Sequence, residues 1–289
     1  MNQAILITAY KNINHLREIM NHFDDNFSFY IHIDEKSTIS ENDLQSLKNQ
    51  NKRVFISRDF VTNWGGVNHL KCSLLLMNEA LKDKNIDYLH LISGHDFPLK
   101  SSAYFNTFLN ENKGKQFLEF FSLPTKIWAN GGLDRLQYYN LYDTINAKGK
   151  YGWLIHKLIA YQKKLGIKRN LNFENQQLHG GSTWWTLSKD CCSYISDFLK
   201  ENPLYLKRFN YTFCAEELFF QTVILNSPFK EQAVNDNLRH IVWEFKNGNV
   251  PANLDETDFS DLKKSAHLFA RRFEYPVSEG VLKMLKENI

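Results

Sequence analysis

Apolar runs of strand length alternate with helically spaced apolar residues through residues 1–121. That alternation restricts the chain to a sheet with helices packed on it. Ala4–Ala9, Phe27–Ile33, Arg53–Ser57, Tyr88–Ile92 and Gln116–Phe121 predict strands. Between them, Ile13–Phe23, Glu41–Asn49 (with Ser40 at its N-cap), Val67–Lys82 and Tyr104–Asn110 predict helices. A strand–helix–strand order of this kind predicts an α/β fold with a mainly parallel central sheet flanked by helices. Residues 123–175 are less regular, with a helix expected over Tyr151–Leu165. Elements resume with a Trp-rich strand at Thr183–Leu187 and helices at Lys189–Leu199 and Glu216–Leu225. A short strand at His240–Glu244 and a helix at Ser278–Lys286 follow. The simplest organisation is one compact domain over residues 1–289, with 1–121 and 122–289 as its two halves and an inserted middle segment.

Composition excludes more than it selects. A net charge of +3 is too small to argue for nucleic acid. The basic residues are scattered, apart from Lys163-Lys164 with Lys168-Arg169 and the pair Arg271-Arg272. Cys72, Cys191, Cys192 and Cys214 have no metal-ligand spacing and suit reduced, buried thiols, which points to the cytoplasm. No run approaches the ~18 apolar residues of a membrane span, which leaves only peripheral contact at the inner face of a membrane. Neither a dinucleotide-binding glycine pattern nor a P-loop follows any strand.

Five stretches carry polar residues where a sheet presents ligands. Ser93–Ser101 follows the fourth strand, and ligands of open α/β sheets bind outside the carboxyl ends of strands. Asp96 is therefore either a ligand-facing group or the cap of the next helix. Asp34 ends the second strand and suits either a nucleoside contact or a turn. Glu216 and Glu217 open an apolar helix, where the dipole favours acids. A carboxylate among buried aromatics is also how a general base near neutral pH is made. Gly180-Gly181 allows a close backbone approach, and the Trp184-Trp185 pair after it suits core better than a sugar platform. Arg271-Arg272 lies between Phe269 and Phe273, an arrangement suited to bidentate recognition of a diphosphate.

In this order the stretches resemble the core-2/I-branching β-1,6-N-acetylglucosaminyltransferase family, which includes the peptide xylosyltransferases. The resemblance rests on Tyr30–Ser37, Ser93–Ser101, Gly181–Ser188, Glu216–Thr222 and Phe269–Phe273. It implies a GT-A fold, a UDP-sugar donor and inversion at the anomeric carbon. It implies Glu217 as the base, and Asp34, Asp96, Arg271 and Arg272 on the donor. Trp243, Glu119 and Arg135 are implied on the acceptor, Trp243 having a core position as its alternative. It further implies no divalent metal, since the loop after the fourth strand offers one carboxylate where metal-dependent enzymes carry Asp-x-Asp. The expected reaction is transfer of GlcNAc from UDP-GlcNAc to a hydroxyl of a glycan or lipid-linked glycan, in surface polysaccharide or glycoconjugate synthesis. A UDP-xylose-dependent transferase and a catalytically degenerate glycan-binding protein are the alternatives. Paired use of Glu216 and Glu217 as a glycosidase is excluded, because neighbours on one helical turn point apart.

Overall fold

The structure is a computed structural model, and it describes residues 1–49, 52–171, 173 and 176–289. The strands are β1 (Asn2–Ala9), β2 (Phe27–Ile33), β3 (Arg53–Ser57), β4 (Ile86–Ser93), β5 (Asp96–Pro98) and β6 (Gln116–Leu118). They continue with β7 (Phe121–Ser122), β8 (His179–Gly180), β9 (Trp185–Ser188), β10 (Ala233–Asn235), β11 (Arg239–Ile241) and β12 (Phe269–Arg271). The α-helices are α1 (Ile13–His22), α2 (Glu41–Lys48), α3 (Asn68–Ala80), α4 (Ser102–Glu111) and α5 (Asp134–Gln137). After them come α6 (Trp153–Lys164), α7 (Lys189–Glu201), α8 (Glu216–Leu225), α9 (Phe259–Lys264) and α10 (Glu279–Asn288).

Seven strands form the main sheet in the order β10-β6-β9-β4-β1-β2-β3. β4, β1, β2 and β3 run parallel, and β10 is parallel to β6. β9 is antiparallel to both its neighbours, β4 and β6. The sheet is therefore mainly parallel, as expected, with one reversed strand that periodicity could not indicate. β1 shows why the parallel part is stable. Ile5 and Ile7 enter one apolar cluster, while Ala4 and Leu6 enter another. Successive side chains of a strand point to opposite faces, so the sheet has a core on each side.

Three expectations need correction. Gln116–Phe121 is two strands, not one, because Asn235 Oδ1 accepts the Phe120 N–H at 2.7 Å and turns the chain toward β8. Asp96–Pro98 is a strand rather than a loop, paired antiparallel with β12. Asp96 does not cap α4; Ser101 does, accepting the Tyr104 N–H at 3.4 Å.

Polar residues cross the centre of the main sheet. Gln3 Oε1 lies 2.9 Å from His90 Nε2, and His90 Nδ1 lies 2.9 Å from Thr186 Oγ1. The buried Arg239 guanidinium donates to Thr186 Oγ1 at 3.1 Å, to Leu91 O at 3.0 Å and to Trp185 O at 3.1 Å. A fork shared between β4 and β9 fastens the reversed strand to the parallel half. Burial lowers the Arg239 pKa to about 9, and the fields of Asp96 and Asp236 oppose that fall.

Candidate active site

The site collects beyond the carboxyl ends of β1, β2 and β4, where β5, β12 and the start of α8 converge on them. Helix α8 is mostly apolar, and Leu218–Leu225 are buried. Its first turn carries Glu216 and Glu217, and the two point to different surroundings. Glu216 is buried, and burial followed by the neighbouring Glu217 charge pushes its carboxyl up to about 8. Glu217 keeps about a quarter of its side chain exposed (26%), and its Oε2 accepts Arg135 Nη1 at 2.6 Å. Burial raises the Glu217 pKa, while Arg135 and Arg271 pull it back.

Arg135 is held for this contact. Its guanidinium lies 3.5 Å from the Trp128 ring centroid, and its carbonyl accepts the Phe213 N–H at 3.0 Å. Arg135 thus grips the expected base itself, a role its sequence surroundings do not signal. Glu119 lies close enough for the Glu217 charge to reinforce burial in raising its pKa. The Gly180-Gly181 pair has a packing reason. A Cβ at Gly181 would meet Glu119 O at 1.8 Å, and one at Gly180 would meet Trp128 at 2.6 Å. Gly181 N–H donates to Glu217 O at 2.9 Å, so the glycine joins the Glu119 strand end to the start of α8.

The second group stands on β5 and β12. Pairing places Asp96 opposite Arg271. Asp96 Oδ2 accepts the Ser93 N–H at 2.7 Å and the Ser93 hydroxyl. Asp96 Oδ1 faces Arg271 Nε at 3.9 Å, and neither atom has a hydrogen-bond partner among the described residues. The Arg271 guanidinium lies 4.2 Å from the Trp184 ring centroid, which gives Trp184 a function its neighbour lacks. Trp185 is wholly core. Arg271 also acts electrostatically on Glu217, which links the two groups.

Arg272 faces another cluster. It donates through Nη2 to Glu274 Oε2 at 2.9 Å and lies 3.1 Å from His95 Nε2. A guanidinium only donates, so His95 Nε2 accepts and its proton sits on Nδ1, 3.2 Å from Phe273 O. Burial, then the Arg272 charge, holds His95 well below its usual pKa and keeps it neutral. Tyr10 lies 3.3 Å from the same Nε2, and Lys11 pairs with Glu274 at 2.5 Å. His95 and Glu274 were not singled out from sequence, because their partnership depends on β5 meeting β12.

Asp34 closes a turn at the end of β2. Its Oδ1 accepts the Lys36 N–H at 2.9 Å and its Oδ2 accepts the Thr62 hydroxyl at 2.6 Å. The turn reading is therefore real, whatever the carboxylate also contacts. Trp243 is 69% exposed, so it is not a core residue. Its neighbour Val242 accepts the Ala252 N–H at 2.9 Å, and Ala252 in turn accepts the Arg272 N–H at 3.4 Å. Backbone pairing thus ties the Trp243 segment to β12. Among the described residues, no three His, Cys, Asp or Glu side chains gather as a metal site, and no helix is long and apolar enough to cross a membrane. The four cysteines are buried free thiols.

An acid gripped by one arginine, two further arginines and a sheet-end carboxylate thus gather at this end of the sheet. The Core-2/I-Branching enzyme family matches residues 4–264, and the chain belongs to that family. Among curated proteins, Xylosyltransferase oxt of Drosophila pseudoobscura pseudoobscura is 29% identical over 283 residues, covering 90% of this chain and 30% of that protein. Xylosyltransferase 2 of Canis lupus familiaris is 28% identical over 279 residues, covering 89% of this chain and 30% of the relative. The Homo sapiens Xylosyltransferase 2 is 28% identical over 280 residues, with the same two shares. The chain thus spans about 30% of the length of these relatives.

Proposed function

We propose that the chain is an inverting glycosyltransferase with a GT-A-type fold, in which Glu217 removes the proton of an acceptor hydroxyl. The acceptor oxygen attacks the anomeric carbon from one face. The bond from that carbon to the diphosphate oxygen breaks on the other, and UDP leaves with the electron pair. Arg271 and Arg272 stabilise the charge that develops on the diphosphate, a task that fixed cations share with metal ions. Asp34 contacts the uridine, Asp96 sets the position of Arg271, and Glu119, Arg135 and Trp243 border the acceptor. The carrying observation is Glu217 itself. Its carboxylate is partly exposed at a buried helix start, raised by burial and within the field of Arg271.

The donor is read as UDP-GlcNAc and the acceptor as a glycan or lipid-linked glycan of surface polysaccharide or glycoconjugate synthesis, acting at the cytoplasmic side of a membrane. The names of the similar xylosyltransferases favour UDP-xylose as a second reading. A donor-hydrolysis screen with UDP-GlcNAc, UDP-xylose, UDP-galactose and UDP-glucose separates the two. The expected outcome is one donor turned over well ahead of the rest, at a rate unchanged by EDTA. Loss of turnover in EDTA with recovery in Mn²⁺ would overturn the metal-free mechanism, and no UDP binding by calorimetry would favour a degenerate glycan-binding protein.

A further inference from the structure

The segment around α6 has a second face that the transfer reaction does not use. From Thr144 to Leu171 the chain carries six lysines and Arg169 but no Asp or Glu. Only Ile155 and Gln162 of α6 are buried. Gln162 fastens the helix by accepting the Tyr139 N–H at 2.8 Å and donating to Tyr139 O at 3.1 Å. Arg169 adds a bond to Leu136 O at 2.9 Å, and Lys163 reaches Asp134 at 3.5 Å. Leu154 and Ile159 are half-buried, and the remaining side chains of the helix are exposed.

That outward side is not an ordinary polar surface. Trp153, Tyr161 and Leu165 are each more than half exposed, at 52%, 60% and 52%. Leu154, Leu158 and Tyr161 line a shallow groove of about 440 Å³ with Lys157, Ala160 and Lys164. Lys157 lies 4.5 Å from the Trp153 ring centroid. Among the described residues, neither Lys157 nor Lys164 has a carboxylate partner. Aromatic rings, leucines and unpaired lysines on one helical face match the chemistry of a bilayer interface. Rings sit at headgroup level, leucines enter the acyl boundary and ammonium groups meet lipid phosphates.

We infer that the outward face of α6 docks on the surface of an anionic lipid bilayer. Charge complementarity selects this occupant over a second copy of the chain, since two such faces would bring like charges together. The segment that α6 is fastened to, residues 134–140, also carries Arg135, so the docked face is joined through one short segment to the side chain that grips Glu217. The inference concerns membrane contact alone and does not depend on the donor or acceptor.

Flotation with vesicles of phosphatidylglycerol or of phosphatidylcholine tests it. The chain should bind the anionic vesicles, bind the zwitterionic ones far less, and dissociate as salt is raised. Lys157→Glu with Lys164→Glu should weaken binding by about tenfold or more, and Trp153→Ala with Tyr161→Ala should do so without changing the charge. All four side chains are largely exposed, so these variants should keep the wild-type melting temperature and donor hydrolysis. Equal binding to both vesicle types, or wild-type binding by the folded variants, would overturn the inference. So would a concentration-dependent dimer of the wild type that these variants abolish.

Discussion

Two carboxylate–arginine pairs belong to this site, and they are built differently. Glu217 and Arg135 touch at 2.6 Å, with the arginine also stacked on Trp128. Asp96 and Arg271 stand 3.9 Å apart, each with a buried polar atom left without a partner. Buried polar groups are nearly always hydrogen-bonded, because an unmet one costs about 1–3 kcal/mol. The touching pair is self-sufficient and sets how readily Glu217 holds a proton. The separated pair keeps an unmet donor and an unmet acceptor inside the fold. One pair acts on the titration of Glu217; the other is the pair proposed to serve the donor.

The largest expected effect comes from removing the titration. Glu217→Gln should lower turnover by about 10²–10⁴-fold, while calorimetry still detects UDP binding. Near-full turnover would mean that the touching pair is structural. Next comes the ligand side. Arg271→Ala combined with Arg272→Ala should weaken UDP binding by about 100-fold, the size of one or two charge-assisted hydrogen bonds. Undiminished affinity would make the two pairs equivalent and end the contrast. A smaller effect follows from Arg135→Ala. With the opposing cation gone, burial dominates and the Glu217 pKa rises further. The base must be ionised, so the acidic limb of the pH–rate profile should move to higher pH, and Arg135→Lys should move it back part of the way.

The smallest catalytic effect belongs to Glu216, whose carboxyl is raised from the usual range to about 8. A raised acid binds its proton in the folded state at a pH where the unfolded chain has released it. Stability therefore falls as pH climbs from about 4.5 toward 8. Glu216→Gln should remove that fall. Its melting temperature at pH 8, compared with wild type, should gain relative to the same comparison at pH 5, by about 1 kcal/mol or more of stability. Parallel melting curves across that range would show that Glu216 is ionised in the fold.

The parallel half was largely legible because its physics is local. Ala4–Ala9 and Phe27–Ile33 are continuous apolar runs because both faces of their sheet are covered, and Ser40 marks the start of α2 by its own hydroxyl. Of the second sheet only β11 was legible, as the short strand expected at His240–Glu244. β5, β11 and β12 have three residues each, too few for any period, and exist because they meet one another. The same limit hid Arg239, His95 and the stacking of Arg271 on Trp184. Glu217, Arg271 and Arg272 could be singled out from local pattern and family resemblance. Which acid each arginine faces depends on contacts between distant parts of the chain.

The pairing of β5 with β12 also bears on when the site can exist during synthesis. It sets residue 96 against residue 271, across more than half of the chain. Chains are made from the N-terminus at about 5–20 residues per second and can begin to fold as they emerge. β1 to β4 and their helices are available early. Asp96 has no Arg271 until β12 has left the ribosome, so a nascent chain can hold a formed parallel sheet for many seconds with that pair still missing. On the proposed donor role of that pair, competence to bind UDP comes late in translation, and a ribosome-stalled chain ending before Phe269 should carry the sheet and fail to retain UDP.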